Sequence, residues 1–509
     1  MSLRVDWRST ASFVGTVVKW LSVTLLVPLV VALYYGEGLG TFVLTMALAV
    51  GLGVGLERLA DADERDLGHR EGFLFVALTW LVVSLVGGLP YLIAGQGTIS
   101  MPVNALFESM SGFTTTGATI MGTISPEVHS RALLIWRQET QWLGGMGIVV
   151  LAVAILPELS VGGAQLVDAE APGPGLQKLS PRIAKTARVL WGAYFGFTVL
   201  QIALLYAIHL AGLAPEMTFY NAVAHAFTTM PTGGFSPAAR SIEAFSAAVQ
   251  WVIVPFMVVA GTNFALFWHT LTGDYDALRR DTEFLAYLGI LGALSALLTL
   301  ILFASPDLVA VGGSAAEAVE PAIRHAAFQV VSIVTTTGYA SVDFNAWSEP
   351  AQYVLFVAMF VGASAGSTGG AIKVIRWVVI GKSLVRELFT TVHPTAVRPI
   401  RLGGRALDER TVEGIYGFTL LYLLLFGVSA PLLLIDAGRA GLSLSAFEVL
   451  SATASCLGNV GPAFGAFGPM ENYESLPRTS KLLLTFLMWA GRLEVFPVLV
   501  LLTRSYWRS

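Results

Sequence analysis

Thr114-Thr115-Thr116-Gly117 closes a short apolar segment, and the same run returns as Thr335-Thr336-Thr337-Gly338. Two variants, Met230-Pro231-Thr232-Gly233-Gly234 and Leu457-Gly458-Asn459-Val460-Gly461-Pro462, complete a set of four. Aligned at Gly117, Gly233, Gly338 and Gly461, they recur at intervals of about 105 to 123 residues. Apolar runs long enough to cross a bilayer flank every copy, so the four mark internal repeats of one membrane domain.

The composition agrees. Of 509 residues, 55% are hydrophobic and only 13% charged, with a mean hydropathy of +0.70. A soluble domain carries about a quarter charged residues, so the chain is an all-α polytopic membrane protein. The net charge of -4 comes without a basic domain, which leaves nothing to recruit nucleic acid. Cys456 is the only cysteine, and the seven histidines form no metal-ligand spacing, so neither a disulfide framework nor a metalloenzyme is indicated. The first apolar run lacks a small-residue cleavage site and reads as a retained helix.

Crossing a hydrocarbon layer of about 30 Å takes roughly 20 apolar residues. Ten runs qualify, at about 12–35, 40–58, 72–94, 131–156, 184–212, 242–270, 284–304, 350–380, 412–436 and 480–503. Two form an N-terminal extension over 1–71. The other eight are expected to pair as four span–pore-helix–span repeats, at 72–183, 184–283, 284–411 (its second span broken) and 412–509, around a pseudo-fourfold pore. With both termini cytoplasmic, Lys and Arg favour the inner face by about three to one. That bias survives only if each filter segment enters and leaves from the outer face. Such re-entrant backbone is tolerated at membrane depth only inside protein or beside water.

Four converging strands can replace a cation's water shell with backbone carbonyls. Glycine helps because it adopts positive φ at little steric cost and lets successive carbonyls face one way. The predicted ion filter comprises Thr115, Thr116, Gly117, Thr232, Gly233, Thr336, Thr337, Gly338, Asn459, Val460 and Gly461. Potassium is expected at Thr116, Gly117, Thr232, Gly233, Thr337, Gly338, Val460 and Gly461, with the C-terminal dipoles of the half-helices favouring a cation nearby.

Downstream of the filters lie small-residue patches. Gly144-Gly145-Met146-Gly147 and Gly261-Thr262-Asn263 are read as close helix packing. The run from Gly362 to Gly370 holds too many glycines to stay helical mid-span. It is predicted to form an irregular loop under the filter, with Gly362, Gly366, Ser367, Thr368, Gly369 and Gly370 as a gate. Arg492, near the centre of the last span, is assigned to the gate as well, because a mid-membrane arginine costs about 2.5–3.5 kcal/mol on insertion scales. Its structural alternative is an ion pair with Glu494. Glu108 and Asp343 are candidates for a negative outer mouth. The basic, proline-containing stretch from Lys382 to Arg410 is ascribed to ordinary positive-inside bias, with docking of an acidic partner or anionic lipid as the alternative.

The motifs SGFTTTGAT at 111–119, PTGGFS at 231–236, TTTGY at 335–339, GNVGP at 458–462, GSTGGAIKVIR at 366–376 and AGRLEVFP at 490–497 occur together over nearly the whole chain. In combination they resemble the Trk/Ktr/HKT superfamily of potassium transporters, and the two extra N-terminal spans resemble its TrkH/TrkG branch. The resemblance implies a homodimer in the plasma (inner) membrane with one potassium pore per subunit. It also implies gating by the loop and a cytoplasmic nucleotide-binding regulatory subunit, TrkA-like, and it matches Arg492 to the family's pore arginine. NAD or ATP sensitivity would belong to that partner, since no P-loop is present and no cofactor is expected in this chain. A sodium-conducting or cation-coupled symporter of the same fold is the alternative. An intramembrane enzyme would need a catalytic dyad, which the sequence lacks.

Overall fold

The computed structural model describes residues 5–58, 68–154, 180–304 and 318–507. Six of its helices are long and apolar enough to cross a membrane: Trp7–Tyr35, Leu39–Arg58, Arg70–Ala94, Ala187–Leu210, Thr282–Phe303 and Glu409–Arg439. A seventh candidate is bent by 93° between Ala247–Ala260 and Phe264–Thr270. The chain is thus a mostly helical polytopic membrane protein.

Besides the bent one, three of the ten predicted spans depart from continuous apolar helices. Arg131–Ala154 is one helix, but it carries Arg131, Arg137 and Glu139; the last two residues of the run predicted over 131–156 lie outside the described residues. The run at 350–380 is helical over Glu349–Ala358 and again from Val374, with the glycine-rich segment between. The run at 480–503 breaks after Arg492, where Glu494 and Val495 take positive φ, and resumes at Phe496. The bend at Gly261–Asn263 corrects the helix-packing reading of those residues. Asn263 leaves the helix and caps the next one, accepting from the Ala265 amide at 2.9 Å. Short polar side chains favour this role because they satisfy amides that a new helix leaves open.

Between the long helices sit four short ones, Pro102–Phe113, Phe219–Thr229, Val319–Val334 and Ala446–Gly458. They have 12, 11, 16 and 13 residues; at about 1.5 Å per residue none spans 30 Å. Nearly all of Pro102–Phe113 is buried from Asn104 onward. The fourth opens with a capping box in which Ser445 and Glu448 satisfy each other's backbone amides, which fixes where it starts.

Close backbone approach sets the positions of the rest. Gly15 and Gly53 meet where the first two long helices cross: a Cβ on Gly15 would stand 2.6 Å from the Gly53 carbonyl. Lys19 and Glu57 pair beside the crossing at 2.6 Å. One apolar core joins this extension to the first and fourth short helices, and a second surrounds the third.

Candidate functional site

Each short helix ends in a tight reversal, and the four reversals share one backbone recipe. Thr115, Thr232, Thr336 and Asn459 take φ of 51, 56, 59 and 55°. Two residues on, Gly117, Gly234, Gly338 and Gly461 take φ of 83, 76, 77 and 105°. Three β-branched threonines in the left-handed region represent strain of about 1–3 kcal/mol each. Hydrogen bonds back to the short helix hold the residue between. The amides of Thr116, Gly233, Thr337 and Val460 donate to the carbonyls of Ser111, Thr228, Ser332 and Ser455 at 2.8–2.9 Å.

This pattern shifts the second repeat by one residue from the alignment by sequence. Gly234, not Gly233, is the counterpart of Gly117, Gly338 and Gly461, while Gly233 corresponds to Thr116, Thr337 and Val460. Two further observations agree. A cavity of about 90 Å³ is lined by Gly117, Gly234, Gly338 and Gly461 together. The Cβ missing from Gly117 would fall on the Gly233 carbonyl, that of Gly234 on the Thr337 carbonyl, that of Gly338 on the Val460 carbonyl and that of Gly461 on the Thr116 carbonyl. Each step passes to the next repeat and the fourth returns to the first, so the reversals close a ring.

Buried polar side chains brace the ring from outside. Gln141 donates to the Gly233 carbonyl at 2.7 Å and accepts from the Phe235 amide at 3.1 Å. Asn459 donates to the Thr116 hydroxyl and the Met488 carbonyl, both at 2.9 Å. The Thr116 and Thr337 hydroxyls meet those of Thr114 and Thr335, each at 2.7 Å. Glu108, expected at the outer mouth, is fully buried and pairs with Arg137 at 2.6 Å. It also accepts from the Ile120 amide at 2.9 Å, while Arg137 donates to the Ser236 carbonyl at 3.1 Å and stacks on Phe235. The pair therefore fastens the strands leaving the first two reversals. Asp343 is half-buried and accepts from the Asn345 amide.

On the face opposite the 90 Å³ cavity lies the segment from Gly362 to Gly370. It is irregular, as its glycines predict, and almost wholly buried. Thr368 donates from its hydroxyl to the Met230 and Ala260 carbonyls at 3.0 Å. The Gly370 amide donates to the Thr336 hydroxyl at 2.7 Å, and a Cβ on Gly369 would stand 3.0 Å from the Thr335 carbonyl. The loop thus packs against the ends of the second and third short helices. The Gly362 amide donates a hydrogen bond to the Ile372 carbonyl at 2.9 Å, joining the two ends of the loop, and the Gly366 carbonyl accepts from the Phe264 amide at 3.2 Å. The Ser367 hydroxyl closes a turn on the Ser364 carbonyl at 2.6 Å.

Two cations grip this loop. Arg492, 2% exposed, donates to the Thr368 carbonyl at 2.7 Å and reaches the Gly144 carbonyl at 3.5 Å. Lys373 donates to the Gly369 carbonyl. Arg492 is the last residue of its helix and not a mid-helix residue. Its alternative partner Glu494 pairs instead with Arg376. Glu283 accepts from the Ala365 amide at 2.7 Å and the Ile375 amide at 3.2 Å, tying the loop to the helix that follows it.

Reading by residue type missed Gly234, Gln141, Glu283 and Lys373. The doubled glycine at 233–234 and the lysine within GSTGGAIKVIR were the available signals; nothing in the sequence marks Gln141. Among the described residues no group of three or more His, Cys, Asp or Glu could hold a metal ion. The donors at the ring are carbonyl and hydroxyl oxygens, the ligands a desolvated hard cation accepts.

Fold and ring together define a class: multi-pass helical membrane proteins built for cation transport. A family model described as TrkH, cation transport protein, matches residues 40–508, and the chain belongs to that family. It is similar to the Trk system potassium uptake protein TrkH of Escherichia coli K12, with 38% identity over 99% of this chain and 100% of the relative. Its likeness to the corresponding protein of Halomonas elongata is 37% over the full length of both. The crystal structure of the potassium transporter TrkH from Vibrio parahaemolyticus superimposes with a TM-score of 0.86 at 35% identity, covering 99% of this chain and 100% of that one. The family is one of transport proteins rather than enzymes.

Proposed function

We propose that this chain carries potassium into the cell across the plasma membrane, through a ring formed by the carbonyls of Thr116, Gly233, Thr337 and Val460 and the glycines that follow them. The observation that carries the reading is the closure of the four reversals on one another. Four strained turns held by buried hydrogen bonds are costly, and a preorganised cage of carbonyls is the return. The short helices then act as pore helices in four repeats of a ten-span layout, their C-terminal dipoles favouring a cation at the ring.

The loop at 362–370 serves as the gate. It packs against the helix ends that carry the ring, and Arg492 and Lys373 hold two of its carbonyls. Two positive charges there oppose cation passage until the loop moves. The relatives' names speak of a Trk system, which supports a cytoplasmic regulatory partner; nucleotide sensitivity, NAD or ATP, resides in that partner. The working unit is a homodimer with both termini in the cytoplasm.

The experiment is rescue of a potassium-uptake-deficient bacterium on low potassium, with and without a nucleotide-binding regulatory subunit, beside Gly338→Ser. Rescue that Gly338→Ser abolishes is expected. Failure to rescue in both settings overturns the function; rescue indifferent to Gly338→Ser overturns the ring assignment alone.

A further inference from the structure

The stretch between Lys382 and Arg410 contributes nothing to the ring, yet part of it is built into a cavity of about 660 Å³. Lys382, Arg386, Arg398 and Arg401 line it beside Trp377 and Val385, and among the described residues no carboxylate does. Glu387 and Glu409 both pair with Arg386, at 3.4 and 2.6 Å. Lys382 donates to the Arg401 carbonyl at 2.7 Å, and the Arg398 guanidinium lies 4.8 Å over the Phe389 ring. Among the described residues, Lys382, Arg398 and Arg401 thus bring three positive charges to one concavity without an ion pair.

The helix Val374–Val392, which supplies Lys382 and Arg386, turns a second face outward. Leu384, Leu388 and Val392 are 60%, 73% and 72% exposed. Spaced four residues apart, they form one stripe along the helix. An apolar stripe beside cationic side chains is the pattern of a helix lying in the membrane interface. The same helix begins where the loop at 362–370 ends, so its depth in the membrane is tied to the loop.

We propose that this cavity binds the phosphate of an anionic bilayer lipid, whose acyl chains cover Leu384, Leu388 and Val392. A soluble acidic protein would match the charge but leave the stripe in water. A second copy of this chain would bring its own cationic cavity and no matching carboxylates. A phospholipid satisfies both faces at once, and the site stands apart from the ion pathway.

The test compares phosphatidylglycerol and phosphatidylcholine binding to the detergent-solubilised full chain by native mass spectrometry. Preferential retention of phosphatidylglycerol is expected. Each Lys or Arg near an anionic surface contributes about fivefold in affinity, so Lys382→Gln/Arg398→Gln/Arg401→Gln should lower that preference on the order of a hundredfold. Arg398→Gln alone, the safer variant for folding, should lower it about fivefold, and Arg398→Lys/Arg401→Lys should keep it. Equal retention of the two lipids by the wild type overturns the proposal. So does a preference that survives the triple substitution in protein with a native elution profile. Polyglutamate binding more tightly than phosphatidylglycerol, or an oligomer that dissociates on the triple substitution while lipid preference stays, replaces the lipid with a protein partner.

Discussion

Substituting alanine at Gly234 and, separately, at Gly233 tests the register of the second reversal. At Gly234 the backbone has φ of 76°, where a Cβ costs about 1–2 kcal/mol. The added methyl also falls on the Thr337 carbonyl, and overpacking of a tight site adds about 1–3 kcal/mol. A total of roughly 2–5 kcal/mol is best relieved by turning the Thr337 carbonyl away from the axis, which removes a cation ligand. At about 1.4 kcal/mol per factor of ten, potassium conduction should fall roughly thirty- to several-thousandfold. Gly233 lies outside the left-handed region, and its added methyl meets the side chain of Gln141, which can give way. Loss of the Gln141 bond costs about 1 kcal/mol, so Gly233→Ala should reduce conduction less than tenfold. The assay is rubidium uptake into proteoliposomes at matched protein content, with sodium competition as a measure of selectivity. Severe loss in Gly233→Ala with near-normal uptake in Gly234→Ala would refute the register and the ring closure derived from it.

Arg492→Ala removes the charge-assisted bond to the Thr368 carbonyl, a contribution of about 1.5–3 kcal/mol, and should raise flux through a loosened loop; unchanged flux in a well-expressed variant would exclude Arg492 from gating. Glu108→Gln breaks a fully buried pair and leaves the Arg137 charge uncompensated. Destabilisation of about 3–5 kcal/mol is expected, read as a lowered thermal midpoint, whereas a midpoint within a degree or so of wild type would mean that the pair does not brace the strands.

Much of the site was legible because its chemistry is local. Thr115, Thr336 and Asn459 precede glycines that must reach positive φ, and the run from Gly362 to Gly370 cannot hold a helix whatever surrounds it. Arg492 stood out because an arginine among apolar residues is expensive anywhere in a membrane. Where the structure departs from the sequence reading, contacts between residues distant along the chain are the main reason. Glu108 was placed at a solvated mouth because its partner Arg137 sits on another helix. Glu494, two residues away, was only the alternative partner for Arg492, and the fold pairs it with Arg376 instead. Gly261 to Asn263 read as helix packing because three small residues are compatible with a helix as well as with a right-angle bend.

By itself, then, the amino-acid sequence determined the membrane class, the recurrence of four glycine-bearing runs and the irregular loop, since hydropathy, glycine content and periodicity act through the backbone nearest to them. The tertiary structure alone decided which of Gly233 and Gly234 is the counterpart of Gly117, Gly338 and Gly461. Two adjacent glycines are equivalent until a carbonyl from the next repeat occupies the space where one of them would carry a Cβ. That choice belongs to the contact between Gly234 and Thr337, more than a hundred residues apart.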